Sequence, residues 1–174
     1  MIKSNTPIIG FAAYSGTGKT TLLKQLIPTL REKSLRVALI KHAHHNFDVD
    51  KPGKDSYELR KAGATPTLIA SAMRTVLMID KETQEEPDLQ TLIQYFDKES
   101  IDVILVEGFK NECFEKIELH RHSCGHDYIF PQDENIIAIA HDAQIDSCSI
   151  PQMNINDIEV IANFICTHLN LQDT

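Results

Sequence analysis

The stretch Ala13-Tyr14-Ser15-Gly16-Thr17-Gly18-Lys19-Thr20 constrains the fold more than any other part of the chain. It follows an apolar run, residues 7–13, that reads as a strand. It precedes Thr21-Leu22-Leu23-Lys24-Gln25-Leu26-Ile27, which reads as a helix. Strand, glycine-rich turn and helix N-terminus together form a phosphate cradle: backbone N–H groups curl round the anion and the helix end adds partial positive charge. Gly16 and Gly18 let the backbone approach an anion with no Cβ in the way. The usual pattern has a glycine four residues before Gly-Lys-Ser/Thr; here Gly18-Lys19-Thr20 fits and Ala13 replaces that first glycine. Alanine suits the position if its torsions are ordinary, and not if a positive φ is required. In such a loop Lys19 reaches the β- and γ-phosphates and the Thr20 hydroxyl ligates Mg²⁺.

The rest of the chain alternates apolar runs with helical periodicity, which predicts an α/β fold: a mostly parallel sheet flanked by helices. Its 174 residues suit one P-loop NTPase domain, 1–174. Strands are expected at 7–13, 36–41, 67–70, 76–79, 103–106, 116–120 and 136–140, with 67–70 and 76–79 either a hairpin or separate sheet members. Helices are expected at 19–33, 55–62 (closed by Gly63), 89–96, and from Asn156, with Glu159 placed to complete a capping box. Leu22, Leu23, Leu26, Ile27 and Leu30 form one buried stripe, and Ile158, Ile161, Ala162, Ile165 and Leu169 another. Residues 108–131 read as the least regular segment.

A P-loop site also needs an acid at the end of a neighbouring strand, to hold Mg²⁺ directly or through water. Glu107 closes the run Val103-Ile104-Leu105-Val106 and so lies at the carboxyl edge, where ligands bind in open α/β sheets. The loop after the second strand, residues 42–56, should reach the same edge. It carries Asp48 and Asp50, candidates for Mg²⁺ or a positioned water, and Lys51 and Lys54, candidates for phosphate oxygens. His42, His44 and His45, with His120, His122, Cys124 and His126, raise a transition-metal reading, although they lack paired ligand spacing. A guanine-reading Asn-Lys-x-Asp is absent; the late strand ending in His141-Asp142 is a placement for a base.

The formal net charge of −8 argues against a general nucleic-acid or anionic-membrane binder. No apolar run approaches the roughly 20 residues that span a bilayer. Removing an N-terminal leader would destroy the loop, so a cytoplasmic protein is expected, with its four cysteines, Cys113, Cys124, Cys148 and Cys166, as reduced thiols.

Several blocks together resemble the MobB family of molybdopterin-guanine dinucleotide biosynthesis adapters. These are residues 13–21, Leu39-Ile40-Lys41-His42-Ala43-His44-His45, the block 48–64 beginning Asp48-Val49-Asp50-Lys51-Pro52-Gly53-Lys54-Asp55-Ser56, and Val106-Glu107-Gly108-Phe109-Lys110. The resemblance implies a GTP-binding protein with weak GTPase activity, usually a homodimer. It would assist the molybdenum cofactor guanylyltransferase that attaches GMP to molybdopterin, with molybdopterin a further candidate ligand. By that likeness Ser15, Gly16, Thr17, Gly18, Lys19, Thr20 and Thr21 carry the phosphates. Lys19, Asp50 and Glu107 are the catalytic candidates, Thr20, Asp50 and Glu107 the Mg²⁺ candidates, and Lys51 a nucleotide contact. A P-loop small-molecule kinase and a metallochaperone GTPase using the histidines are the competing classes; the first usually carries a lid of clustered arginines, which this chain lacks.

Overall fold

The structure is a computed structural model, and it describes residues 2–43, 47–83 and 85–171. Two of the histidines singled out above, His44 and His45, lie outside the described residues. The chain divides into two compact units: Met1–His42 with Pro87–Thr174, and Ala43–Glu86.

The larger unit is a six-stranded sheet in the order β2-β5-β1-β6-β7-β8, with every pairing parallel. Its strands are β1 (Ile8–Ala12), β2 (Val37–Lys41), β5 (Val103–Glu107), β6 (Lys116–His120), β7 (Ile136–His141) and β8 (Gln152–Asn154). β8 was not expected from the sequence: only Met153 of its three residues is buried, so no apolar run marks it. Helices α1 (Lys19–Glu32) and α4 (Ile158–His168) pack on one face. Leu22, Leu26, Leu30, Ile161 and Ile165 close there on Ile9, Phe11, Leu105, Ile117 and Ala138. On the other face α3 (Leu89–Ile93) lays Leu89 and Ile93 against Ile40, Ile104 and Val106. Covering both faces explains why β5 reads as an unbroken apolar run.

Two helix ends differ from expectation. The cap of α4 is Asp157 rather than Asn156: the Asp157 carboxylate accepts from Val160 N–H at 3.2 Å. Asn156 instead accepts through its Oδ1 from Arg121 Nη2 at 2.9 Å, so its side chain is committed elsewhere. α3 stops at Ile93, three residues short of the periodic stretch, because Gln94, Tyr95 and Phe96 close it with i→i−3 bonds to Thr91, Leu92 and Ile93.

The smaller unit holds α2 (Asp55–Lys61) and an antiparallel pair, β3 (Thr67–Ala70) with β4 (Thr75–Met78). The two short runs are therefore a hairpin. Gly63, at φ 109°, follows α2 and donates to the Arg60 carbonyl, as a helix C-cap does. Arg60 is the polar centre of the unit: Nη2 donates to both oxygens of Asp48 at 2.8 and 2.7 Å, and Nη1 to Asp80 at 3.0 Å. Among the described residues no helix is long and apolar enough to cross a membrane.

Candidate functional site

The loop between β1 and α1 has the geometry of an anion cradle. Gly16 and Gly18 take φ of 84° and 99°, a region that L side chains rarely enter. Nothing lies within 4 Å of where a Cβ on Gly16 would stand. Ala13 is not among the residues at positive φ, so the departure from the usual glycine costs no backbone strain. The backbone N–H groups of Ser15 through Thr21 donate to no described group, which leaves a run of free donors at the N-terminus of α1. The loop braces itself from inside: the buried Thr17 hydroxyl donates to the Tyr14 carbonyl at 3.0 Å. Thr17 thus contributes its backbone to the cradle, not its hydroxyl. Ser15, Thr20 and Thr21 are exposed.

Lys19, the first residue of α1, folds back over the loop and donates to the carbonyls of Ala13 at 2.8 Å and Tyr14 at 3.1 Å. Its ammonium therefore waits at the mouth of the cradle. Partial burial pushes its pKa below the usual lysine value; Glu107 opposes this, and the charges of Lys41 and Lys110 reinforce it. The acidic chain thus places three cations around one loop, a field suited to phosphate.

Strand register brings Glu107 to the site. β5 pairs with β1 on one side and with β2 on the other, and Lys41 stands directly beside Glu107. Lys41 Nζ donates to Glu107 Oε2 at 2.9 Å. The turn after Glu107 depends on Gly108, at φ 98°, where an added Cβ would lie 2.6 Å from His42 Cβ. His42 in turn stacks on Phe109, with ring centroids 4.7 Å apart. Lys41 was not picked out from sequence; its signal is only that two strands end in opposite charges, and the strand order is needed to read it.

Asp50 and Lys51 belong to the smaller unit. Asp50 Oδ1 accepts from Lys51 N–H at 2.9 Å and from Ser56 Oγ at 3.1 Å, while its Oδ2 is buried with no hydrogen-bond partner among the described residues. The Lys51 side chain is exposed. Asp48 is paired with Arg60.

Arg121 is a second residue that sequence reading left aside. It directly follows β6, and its Nε donates to the Thr17 carbonyl at 3.2 Å. Close by, Tyr14 of the loop stacks on His126 at 4.3 Å. Among the described residues no three His, Cys, Asp or Glu side chains converge as a metal cluster. The oxygen donors at the loop, Thr20 and Glu107, are hard ligands of the kind Mg²⁺ takes.

The chain is similar to known proteins over most of its length. Residues 8–142 match the model of the MobB family, described as molybdopterin guanine dinucleotide synthesis protein B. The chain is 48% identical over 175 residues to an Escherichia coli molybdopterin-guanine dinucleotide biosynthesis adapter protein, covering 98% of each. It is 41% identical to the Haemophilus influenzae protein of that name, over 94% of this chain and 90% of the relative. A crystal structure titled molybdopterin-guanine biosynthesis protein B superposes with a TM-score of 0.70 at 26% identity, over 93% of this chain and 99% of that one.

Proposed function

Because the chain belongs to the MobB family, we propose that it binds Mg²⁺·GTP on the loop from Ser15 to Thr21 and acts as an adapter in molybdopterin guanine dinucleotide synthesis. Its partner in this reading is the guanylyltransferase that attaches GMP to molybdopterin, and it works as a homodimer. The adapter role follows the names of its relatives.

One observation carries the nucleotide reading: the N–H groups of Ser15 through Thr21, which donate to no described group, arranged by Gly16 and Gly18 in left-handed conformation. On that cradle the Lys19 ammonium exchanges the Ala13 and Tyr14 carbonyls for β- and γ-phosphate oxygens. Thr20 and Glu107 would hold Mg²⁺, which would supply charge neutralisation at those oxygens. Glu107 has Oε2 occupied by Lys41 and offers its other oxygen to a water. A carboxylate held in this way orients a nucleophile without being free to move with it, which suits slow turnover and a nucleotide used as a bound signal. Asp50, whose Oδ2 has no hydrogen-bond partner among the described residues, is the candidate in the smaller unit for a metal or water contact.

Calorimetric titration with GTP and ATP in Mg²⁺ tests the reading. Lys19→Ala is expected to lose triphosphate affinity on the order of 10–100-fold while its circular dichroism stays unchanged, as for loss of a charge-assisted bond. Unchanged binding in that variant would remove the loop from the reading. A clear ATP preference with fast phosphoryl transfer to a small acceptor would replace the adapter with a kinase.

A further inference from the structure

A cavity of about 390 Å³ opens where β7 and β8 end, lined by His141, Asp142, Gln144, Gln152 and Asn154. It falls within the ~300–1,000 Å³ range of small-ligand sites. Two of its groups are short of partners. His141 is only 7% exposed, and its Nδ1 is buried with no hydrogen-bond partner among the described residues. Asp142 uses Oδ1 to accept from His122 N–H at 2.8 Å. Its Oδ2 has Arg121 Nη1 at 3.7 Å, an ion-pair distance too long for a hydrogen bond. The His122 N–H bond, helped by the charge of Arg121, holds Asp142 below the usual carboxylate range, so it stands at the cavity wall as an ionised acceptor.

The cavity is joined to the phosphate loop by one side chain. Arg121 donates through Nε to the Thr17 carbonyl at 3.2 Å and pairs through Nη1 with Asp142. The loop and the cavity wall are therefore a single guanidinium apart. A nucleotide with its phosphates on the loop has its base within reach of that wall. Guanine presents N1–H and N2–H₂ as neighbouring donors beside the O6 acceptor; adenine presents the N1 lone pair beside N6–H₂. A carboxylate accepts from the first edge and repels the lone pair of the second.

We propose that Asp142 reads the guanine edge of the loop-bound nucleotide and thereby selects GTP over ATP. This rests on the reading of residues 15–21 as a triphosphate loop. A pterin carries the same amino–oxo edge, and the bridge from Thr17 through Arg121 favours the base of a nucleotide.

Asp142→Asn tests the assignment by titration with the Mg²⁺ complexes of GTP, xanthosine triphosphate and ATP. Asparagine keeps a carbonyl for the His122 N–H but presents an N–H₂ to the base, which suits the C2 carbonyl of xanthine. The expected result is a rise in the GTP Kd on the order of 10–100-fold, tighter xanthosine triphosphate and unchanged ATP. Equal weakening of all three, or an unaltered GTP affinity, would overturn the assignment. With the unsubstituted protein, inosine triphosphate, which lacks the 2-amino group, should bind about tenfold more weakly than GTP; equal affinity would also overturn it, whether or not the variant folds. A simple pterin that binds the unsubstituted protein and not the variant, with GTP indifferent to the change, would assign the edge to pterin instead. If the unsubstituted protein binds ATP but no guanine nucleotide, base selection by Asp142 fails while the loop stands. If it binds no triphosphate, the loop reading itself has failed.

Discussion

β5 and β6 flank β1 on its two sides, and both are buried along nearly their whole length, yet by different means. β5 presents Val103 and Leu105 to one apolar cluster and Ile104 and Val106 to the other. β6 gives Ile117 and Leu119 to the cluster under α1 and α4, but its other face is Lys116, Glu118 and His120, none more than 6% exposed. Segment 121–135, together with the turn before β6, meets that polar face group by group. Lys116 Nζ donates to the carbonyls of Glu112 at 2.7 Å and Lys110 at 3.2 Å and pairs with Asp133 at 3.0 Å. Glu118 accepts from Ile129 and Phe130 N–H at 2.9 and 2.8 Å. His120 Nε2 donates to the His126 carbonyl at 2.9 Å. One side of the glycine-rich loop thus rests on a core indifferent to direction, the other on a set of specific bonds. Apolar burial tolerates exchange of shape; a satisfied polar network does not tolerate loss of a member.

The sharpest way to break this comparison is to place methionine in each strand. Lys116→Met should cost about 3–5 kcal/mol in urea unfolding, because it leaves the Asp133 carboxylate and two carbonyls without their cation. Leu105→Met, on the apolar strand, should cost under about 1.5 kcal/mol. Similar losses in the two variants would show that the polar face is no more exacting than the core.

Glu118→Gln should cost about 1–3 kcal/mol, since an amide presents one acceptor where two N–H groups need two. Burial raises the folded-state pKa of Glu118 above the usual glutamate value, against the pull of its two backbone donors. The folded protein therefore binds this proton more tightly than the unfolded chain, so the contribution of Glu118 declines as pH rises from the ordinary glutamate value through the raised one. Stability measured from pH 4 to 8 should show this decline in the unsubstituted protein and not in the glutamine variant.

The smallest effect lies at the opposite end of β5, where Asp102 takes a bidentate pair from Arg36 at 2.9 and 2.7 Å. The Arg36 guanidinium and backbone N–H hold Asp102 at about 2, below its ordinary 3.8. Its stabilisation is complete above about pH 4 and is lost as pH falls through 2. The pair is largely open to water, so Asp102→Asn should cost no more than about 1 kcal/mol at pH 7. The difference from the unsubstituted protein should close in acid melts near pH 2.

The contrast between the strands also explains what could be read from sequence. The glycine-rich turn, α1 and β5 were legible because each is local: glycine spacing, helical periodicity and an unbroken apolar run sit within a few residues. Lys116-Ile117-Glu118-Leu119-His120 has the alternation of a half-exposed strand, and nothing within it tells that segment 121–135 folds over its polar side. The pairing of Lys41 with Glu107 and the contact of Arg121 with Thr17 join residues 66 and 104 positions apart. Such contacts exist only once the strand order is known. Asn156 lost the cap to Asp157 for the same reason, since its side chain answers a distant arginine.

The register of β2 on β5 makes neighbours of Lys41 and Glu107 across an excursion that contains the whole smaller unit. The entropy of closing such a loop grows only with the logarithm of its length, so doubling it costs about 0.6 kcal/mol. In the links outside α2 and the β3–β4 hairpin the chain can therefore gain or shed residues with little thermodynamic penalty. The link from β1 to α1 has no such latitude, because Gly16, Gly18 and the Thr17–Tyr14 bond fix every residue of it. Insertions and deletions among relatives should accordingly collect in the exposed links of the excursion and avoid the glycine-rich loop.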